Sequence, residues 1–307
     1  MKNQGIWYAV SAYVLWGLLP VYWKWLHHVP APQLLSHRIT WSFLALAAVL
    51  GLTRRWPAFR AAIAQPGVRR AYLAAAALIG VNWLTYVWAV NAGFIIETSL
   101  GYFINPLLSV VLGVLFLRER LRPWQWPPLA LAAAGVIYLT VIYGSLPWIA
   151  LTLAVTFGFY GLVKKTAPLG ALYGLTLETG LLLLPALAFL AYSEAAGQGA
   201  FLHAGLASDL LLVGAGVMTT VPLLLFASAA QRIPLSLVGV LQYIAPTIQF
   251  FLGLLIYHEP FAASQFIGFG LVWIALALYA AEGFLAQRRR PLVPSADSER
   301  EAPASSD

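Results

Sequence analysis

Cysteine is missing altogether, and methionine occurs only twice in 307 residues. Without a thiol there is no disulfide framework, no thiolate metal site and no cysteine nucleophile. Charge is almost as scarce: Asp, Glu, Lys and Arg make up 9% of the chain, against 61% hydrophobic residues. A soluble domain of that composition would hold far too much apolar surface against water. HExxH, Walker A, Gly-x-Ser-x-Gly and GxGxxG patterns are also missing, which leaves hydrolysis and ATP-driven pumping without a signature. His27 and His28 stand beside prolines with no carboxylate close by, so they read as interfacial side chains rather than metal ligands. No cofactor or metal is called for.

What the chain has is a succession of apolar runs. A helix rising ~1.5 Å per residue needs ~20 apolar residues to cross a bilayer core. The runs do not alternate polar and apolar residues as barrel strands would, so the expected fold is all-α and polytopic. Ten spans are predicted, at 5–23, 33–52, 71–90, 98–117, 126–143, 148–163, 173–192, 210–230, 235–257 and 263–285. Lipid is therefore the surrounding partner. The stretch beyond, 286–307, carries Arg288, Arg289 and Arg290 near its start and continues in Pro, Ser, Ala and Glu, the composition of a disordered cytoplasmic tail.

The net charge of +7 is not a nucleic-acid footprint, because the Lys and Arg are scattered between apolar runs. Their placement instead sets orientation. Lys2, Arg54, Arg55, Arg60, Arg69, Arg70, Arg118, Arg120, Arg122, Lys164, Lys165, Arg232, Arg288, Arg289, Arg290 and Arg300 all fall on one side, leaving Lys24 on the other and Arg38 inside a span. Both termini are thus expected in the cytoplasm, with an even number of spans between them.

The stretch 99–121 recurs at 236–261. An offset of 140 pairs Ile104 with Ile244, Pro106 with Pro246, Gly113 with Gly253, Leu115 with Leu255 and Glu119 with Glu259. This is an internal repeat, with halves at 5–143 and 146–285. Five spans per half is an odd number, so the second half enters the membrane from the opposite side and the repeats are inverted. Proline-interrupted apolar segments in corresponding positions of two such halves point to a transporter's binding site.

Two charges interrupt apolar spans, Arg38 in the second and Glu178 in the seventh. A mid-helix charge costs ~2.5–3.5 kcal/mol on insertion scales, so each needs a partner, a cavity or a function. Each lies about five residues into its helix, and the helices start from opposite faces, which separates them by ~15 Å of depth and argues against a direct pair. Arg38 is instead expected to meet Glu97 or an anionic substrate near the outer face. Glu178 is expected at the cytoplasmic mouth as the protonatable coupling group.

Polar residues recur at helical spacing beside the prolines: Tyr102, Asn105 and Ser109 with Pro106, and Gln242 and Gln249 with Pro246. Each proline removes a backbone donor and frees the carbonyl four residues earlier. Asn82 and Tyr86 in the third span, Tyr160 in the sixth, and Pro222 in the eighth extend the set, Pro222 aligning with Asn82 at the same offset. An aromatic lining with a few amides and hydroxyls suits a moderately polar organic small molecule better than a bare ion. Interhelical hydrogen bonding would explain the same stripes, and a structural or sensory membrane subunit is the alternative to a transporter.

WGLLPVYWK from Trp16, SHRITWS from Ser36, NWLTYVWAVNAG from Asn82, ETSLGYFINPL from Glu97, LTLETGLLLLP from Leu175 and LQYIAPTIQFFLG from Leu241 together resemble the RarD group of EamA-type transporters, in the drug/metabolite transporter superfamily. The resemblance covers about residues 5–285. It implies a bacterial inner-membrane carrier of ten helices in two inverted five-helix repeats, and a label of the chloramphenicol-sensitivity or resistance type. It further implies a cavity surrounded by spans one to four and six to nine, with spans five and ten bracing the outside and able to form homodimer contacts. Carried onto this chain, it implies Arg38, Asn82, Tyr86, Tyr102, Asn105, Glu178 and Gln242 as cavity residues.

Overall fold

The computed structural model describes residues 2–65, 67–92, 94–144, 147–256 and 263–288, all helix or short connection. Residues 289–307, most of the expected tail, lie outside the described residues, as does Glu259; of Glu97 only the helical backbone is described. Helices α1 (Lys2–Trp25), α2 (Ala31–Leu52), α3 (Trp56–Ala64), α4 (Val68–Asn91), α5 (Ile95–Leu117) and α6 (Trp126–Tyr143) form the first half. Helices α7 (Trp148–Thr166), α8 (Ala171–Ala195), α9 (Leu206–Ala230), α10 (Leu235–Gln242), α11 (Ile244–Phe251) and α12 (Ala263–Arg288) form the second, with a π-helical turn over Leu252–Ile256.

Among the described residues nine segments are long and apolar enough to cross a membrane, with α10, α11 and the π turn counted as one. The tenth expected span is α7. Its 19 residues suffice in length, but the two lysines in its last turn leave it outside that apolar set. Helix α3 is an element the span pattern does not contain. It is nine residues long and too rich in arginine neighbours to cross, yet Phe59 is buried against Trp56 and Tyr173 at ring distances of 5.5 and 5.8 Å.

The packing is symmetric under exchange of the halves. Helix α1 packs on α9 as α7 packs on α4, α2 on α9 as α8 on α4, and α5 on α7 as α11 on α1. The pairs α2–α8, α5–α10 and α6–α12 bring counterparts together directly. A pseudo-two-fold exchange of five-helix units produces this pattern, and no stacking of two independent bundles would. Helices α6 and α12, the expected bracing spans, lean on each other within the one chain. A Cβ on Gly135 would stand 3.0 Å from the Gly268 carbonyl, so the two backbones nearly touch.

Helix α5 closes with Arg118 in the left-handed region at φ 54°, which favours glycine. That turn lets the Glu119 N–H bond the Gly113 carbonyl at 3.0 Å and swings the Glu119 carboxylate across the repeat interface. There it accepts from the backbone N–H groups of Leu235 at 2.5 Å and Ser236 at 2.9 Å, and from the Ser236 hydroxyl at 2.6 Å. An anion on the first N–H groups of α10 satisfies orphan donors and complements the helix dipole. Gly113 is required here, because a Cβ would lie 2.7 Å from Glu119 Oε2.

A basic end of the bundle, where Arg54, Arg55, Arg118, Lys164 and Arg232 lie, is thus distinguished from a far end, where α1 finishes and α2 starts. The basic half is filled by a continuous apolar core that includes Ala9, Leu46, Ala75, Tyr160, Phe226, Ala229, Ile233 and Val238. The far half holds smaller clusters, such as Leu26, Val29 and Leu212, around a space that the packed side chains leave open.

Candidate functional site

The open space in the far half is a cavity, with about 1100 Å³ between protein atoms when the open solvent at its mouth is counted in. Its lining is set by helical spacing. Tyr13, Trp16, Pro20 and Trp23 come from one stripe of α1; Asn82, Trp83 and Tyr86 from α4; Gly101, Tyr102 and Asn105 from α5; Leu153 and Phe157 from α7; and Thr219 and Leu223 from α9. Gln242 ends α10, and Ala245, Pro246 and Gln249 come from α11. Arg38, from α2, supplies the sole formal charge among these residues.

Arg38 is tightly held. Its Nε donates to the Thr219 hydroxyl at 3.0 Å, and its guanidinium lies over the indoles of Trp23 at 4.9 Å and Trp83 at 5.2 Å. Cation–π contact with the two rings offsets part of the desolvation of the charge. Asn82 crosses to α7, its Nδ2 donating to the Leu153 carbonyl and the Thr156 hydroxyl, both at 2.9 Å. Gln249 Nε2 donates to the Trp16 carbonyl at 3.1 Å. Tyr86 and Tyr102 meet edge to face at 6.1 Å. Two buried polar atoms on the lining, Asn105 Oδ1 and the Tyr13 hydroxyl, have no hydrogen-bond partner among the described residues. Unsatisfied buried groups are uncommon and mark places where water or ligand completes the bonding.

The prolines behave unequally. At Pro246 the helix divides, α10 ending at Gln242, the residue whose carbonyl the proline leaves unpaired. Pro106 and Pro222, expected to break their helices, sit inside α5 and α9, both of which run through without interruption. The lost bond is one per proline, and close packing holds each helix together: the Pro106 carbonyl would be 2.6 Å from a Cβ on Gly239, so α5 and α10 touch there.

Tyr160 and Glu178 do not lie among the cavity residues. They form a second site toward the basic end, where Lys164 Nζ donates to Glu178 Oε1 at 2.8 Å and the Tyr160 hydroxyl donates to Oε2 at 3.0 Å. Lys164 and Glu178 are each 1% exposed. The ammonium also lies 5.5 Å from the Tyr72 ring and 5.6 Å from that of Tyr160, and the Tyr72 hydroxyl donates to the Leu169 carbonyl at 3.0 Å. Arg38 and Glu178 therefore have separate partners. Lys164 was expected as a loop charge; α7 continues to Thr166, and the i, i+4 spacing from Tyr160 to Lys164 carries the lysine inward on the same face.

The EamA-like transporter family matches residues 3–141 and 146–281. An uncharacterized transporter of Bacillus subtilis, YojE, is 47% identical over 284 residues, covering 90% of this chain and 93% of its own. Protein RarD of Escherichia coli is 42% identical over 290 residues, covering 94% and 97%. A protein of known crystal structure superposes with a TM-score of 0.67 at 19% identity, over 94% of this chain and all of that one, a likeness of fold alone. With two family segments in tandem and relatives matched nearly end to end, the chain is a multi-pass membrane protein of the EamA-like transporter family, within its RarD group.

Proposed function

We propose that this protein is a secondary transporter that carries a small organic molecule across the bacterial inner membrane by alternating access between its inverted halves. One observation carries the reading: a polar-studded aromatic cavity lies between the halves and is unfilled at the far end, while the basic end is sealed by packed side chains. With the arginine-rich loops in the cytoplasm, both termini are cytoplasmic and the conformation is outward-open.

Repeat exchange then describes the other state. Arg38 and Glu178 are counterparts at the offset of 140, one lining the open half and the other locked in the closed half. In the inward-open state the basic half parts and the Lys164–Glu178 pair separates. A proton on Glu178 removes the charge that holds Lys164, which makes this carboxylate the coupling site. Uptake of labelled ligand into proteoliposomes preloaded with the same ligand tests the carrier reading without ATP. Exchange above that of protein-free liposomes supports it, and a ligand that binds but never exchanges would contradict it, favouring a sensory or structural subunit.

A further inference from the structure

Resting on the transporter reading, the Arg38 geometry carries a statement about what is carried. The guanidinium presents five N–H donors in one plane. Nε is used on Thr219, and the contacts with the two indoles are cation–π contacts, which place no hydrogen-bond acceptor against the in-plane donors. The terminal nitrogens have no hydrogen-bond partner among the described residues, and they are not among the buried unpaired atoms either, so they face the open cavity. Among the described residues no carboxylate stands in the lining. A held cation with free in-plane donors and no counter-charge among the described residues has a shape that a carboxylate completes through two parallel hydrogen bonds.

The remaining surface fixes the rest of the ligand. Trp16, Tyr86, Tyr102 and Phe157 offer flat apolar contact, while Asn105 Oδ1 and the Tyr13 hydroxyl wait as isolated polar partners. Among the described residues an ammonium group would find no acidic side chain on this lining, and it would be repelled by Arg38.

We propose that the cavity takes an organic monoanion, its carboxylate gripped edge-on by Arg38 and its ring laid along the aromatic wall. Neutral, cationic and zwitterionic relatives of the same ring are the weaker ligands. The test is a ring-matched series, phenylacetate, phenylacetamide, phenethylamine and phenylalanine, measured by calorimetric binding to the purified full chain in detergent and by uptake into proteoliposomes. Phenylacetate is expected to bind at least tenfold more tightly than its amide, and Arg38→Gln to erase that preference, with Arg38→Lys keeping part of it. The wild-type ranking alone decides the matter if Arg38→Gln fails to give a monodisperse protein. Equal or tighter binding of the amide or amine, a preference that survives Arg38→Gln, or binding of no member would overturn the inference. Transport of the amine or amide would sink the anion inference and leave the carrier reading intact. Binding of phenylacetate without transport would do the reverse.

Discussion

Removing one member of the buried Lys164–Glu178 pair should cost more than removing both. Each side chain is 1% exposed, so Glu178→Gln leaves an ammonium sealed among Tyr72, Tyr160 and apolar core with no opposing charge. Breaking such a pair costs ~3–5 kcal/mol, whereas replacing both members by apolar residues of similar volume is often neutral or stabilising by ~1–4 kcal/mol. The penalty falls on the closed basic half, because that is where both groups are desolvated. If the pair latches that half, ~3 kcal/mol corresponds to a shift of ~100-fold toward the conformation in which the lysine meets water. The natural absence of cysteine makes the shift directly readable. A single Ala229→Cys in the sealed core should react slowly with an impermeant maleimide in inverted vesicles, and roughly 100-fold faster when Glu178→Gln is added. The Lys164→Met, Glu178→Leu double variant should label slowly again and regain most of the detergent melting temperature lost in the single variant. A double variant as labile as the two singles combined, or a labelling rate unmoved by Glu178→Gln, would refute the latch.

Glu119→Gln should destabilise the detergent-solubilised protein by ~1–2 kcal/mol, because it weakens charge-assisted bonds to the first donors of α10; thermal unfolding of a monodisperse sample measures it, and an unchanged midpoint would count against the cap. Gly216→Val should abolish stable insertion, since even a Cβ at 216 meets the Trp41 backbone carbon at 2.5 Å; membrane-fraction yield is the readout. Asn82→Leu should loosen α4 from α7 at the cavity wall and weaken ligand binding by about tenfold, the value of one to two buried hydrogen bonds, as calorimetry would show.

Much of this arrangement could be read from residue order. Apolar run length gave the spans, and the loop arginines gave the basic end. The depth argument that kept Arg38 and Glu178 apart agrees with their separate partners, Thr219 with two indoles for one and Lys164 with Tyr160 for the other. Other features were not legible, for physical reasons. Lys164 looked like a loop charge because the helix end could be placed only to within a few residues, and three more residues of α7 decide whether it faces water or core. The Glu119 cap joins groups 116 residues apart, beyond any local capping signature. Helix α3 has the wrong length and charge for a span, and only the burial of Phe59 reveals that it packs. Pro106 and Pro246 occupy equivalent places in the repeat yet only one divides its helix, so tertiary packing rather than proline itself selects the outcome.

The central claim is a cavity open to the outside and shut from the cytoplasm. Gln249→Cys, on the cavity wall of the otherwise cysteine-free chain, tests it through labelling by an impermeant maleimide in right-side-out and inverted vesicles. The account predicts fast labelling from the outer face and slow labelling from the cytoplasmic face, with the order reversing in the Glu178→Gln background. Fast labelling from the cytoplasmic face of the unmodified background, with protection outside, would contradict it.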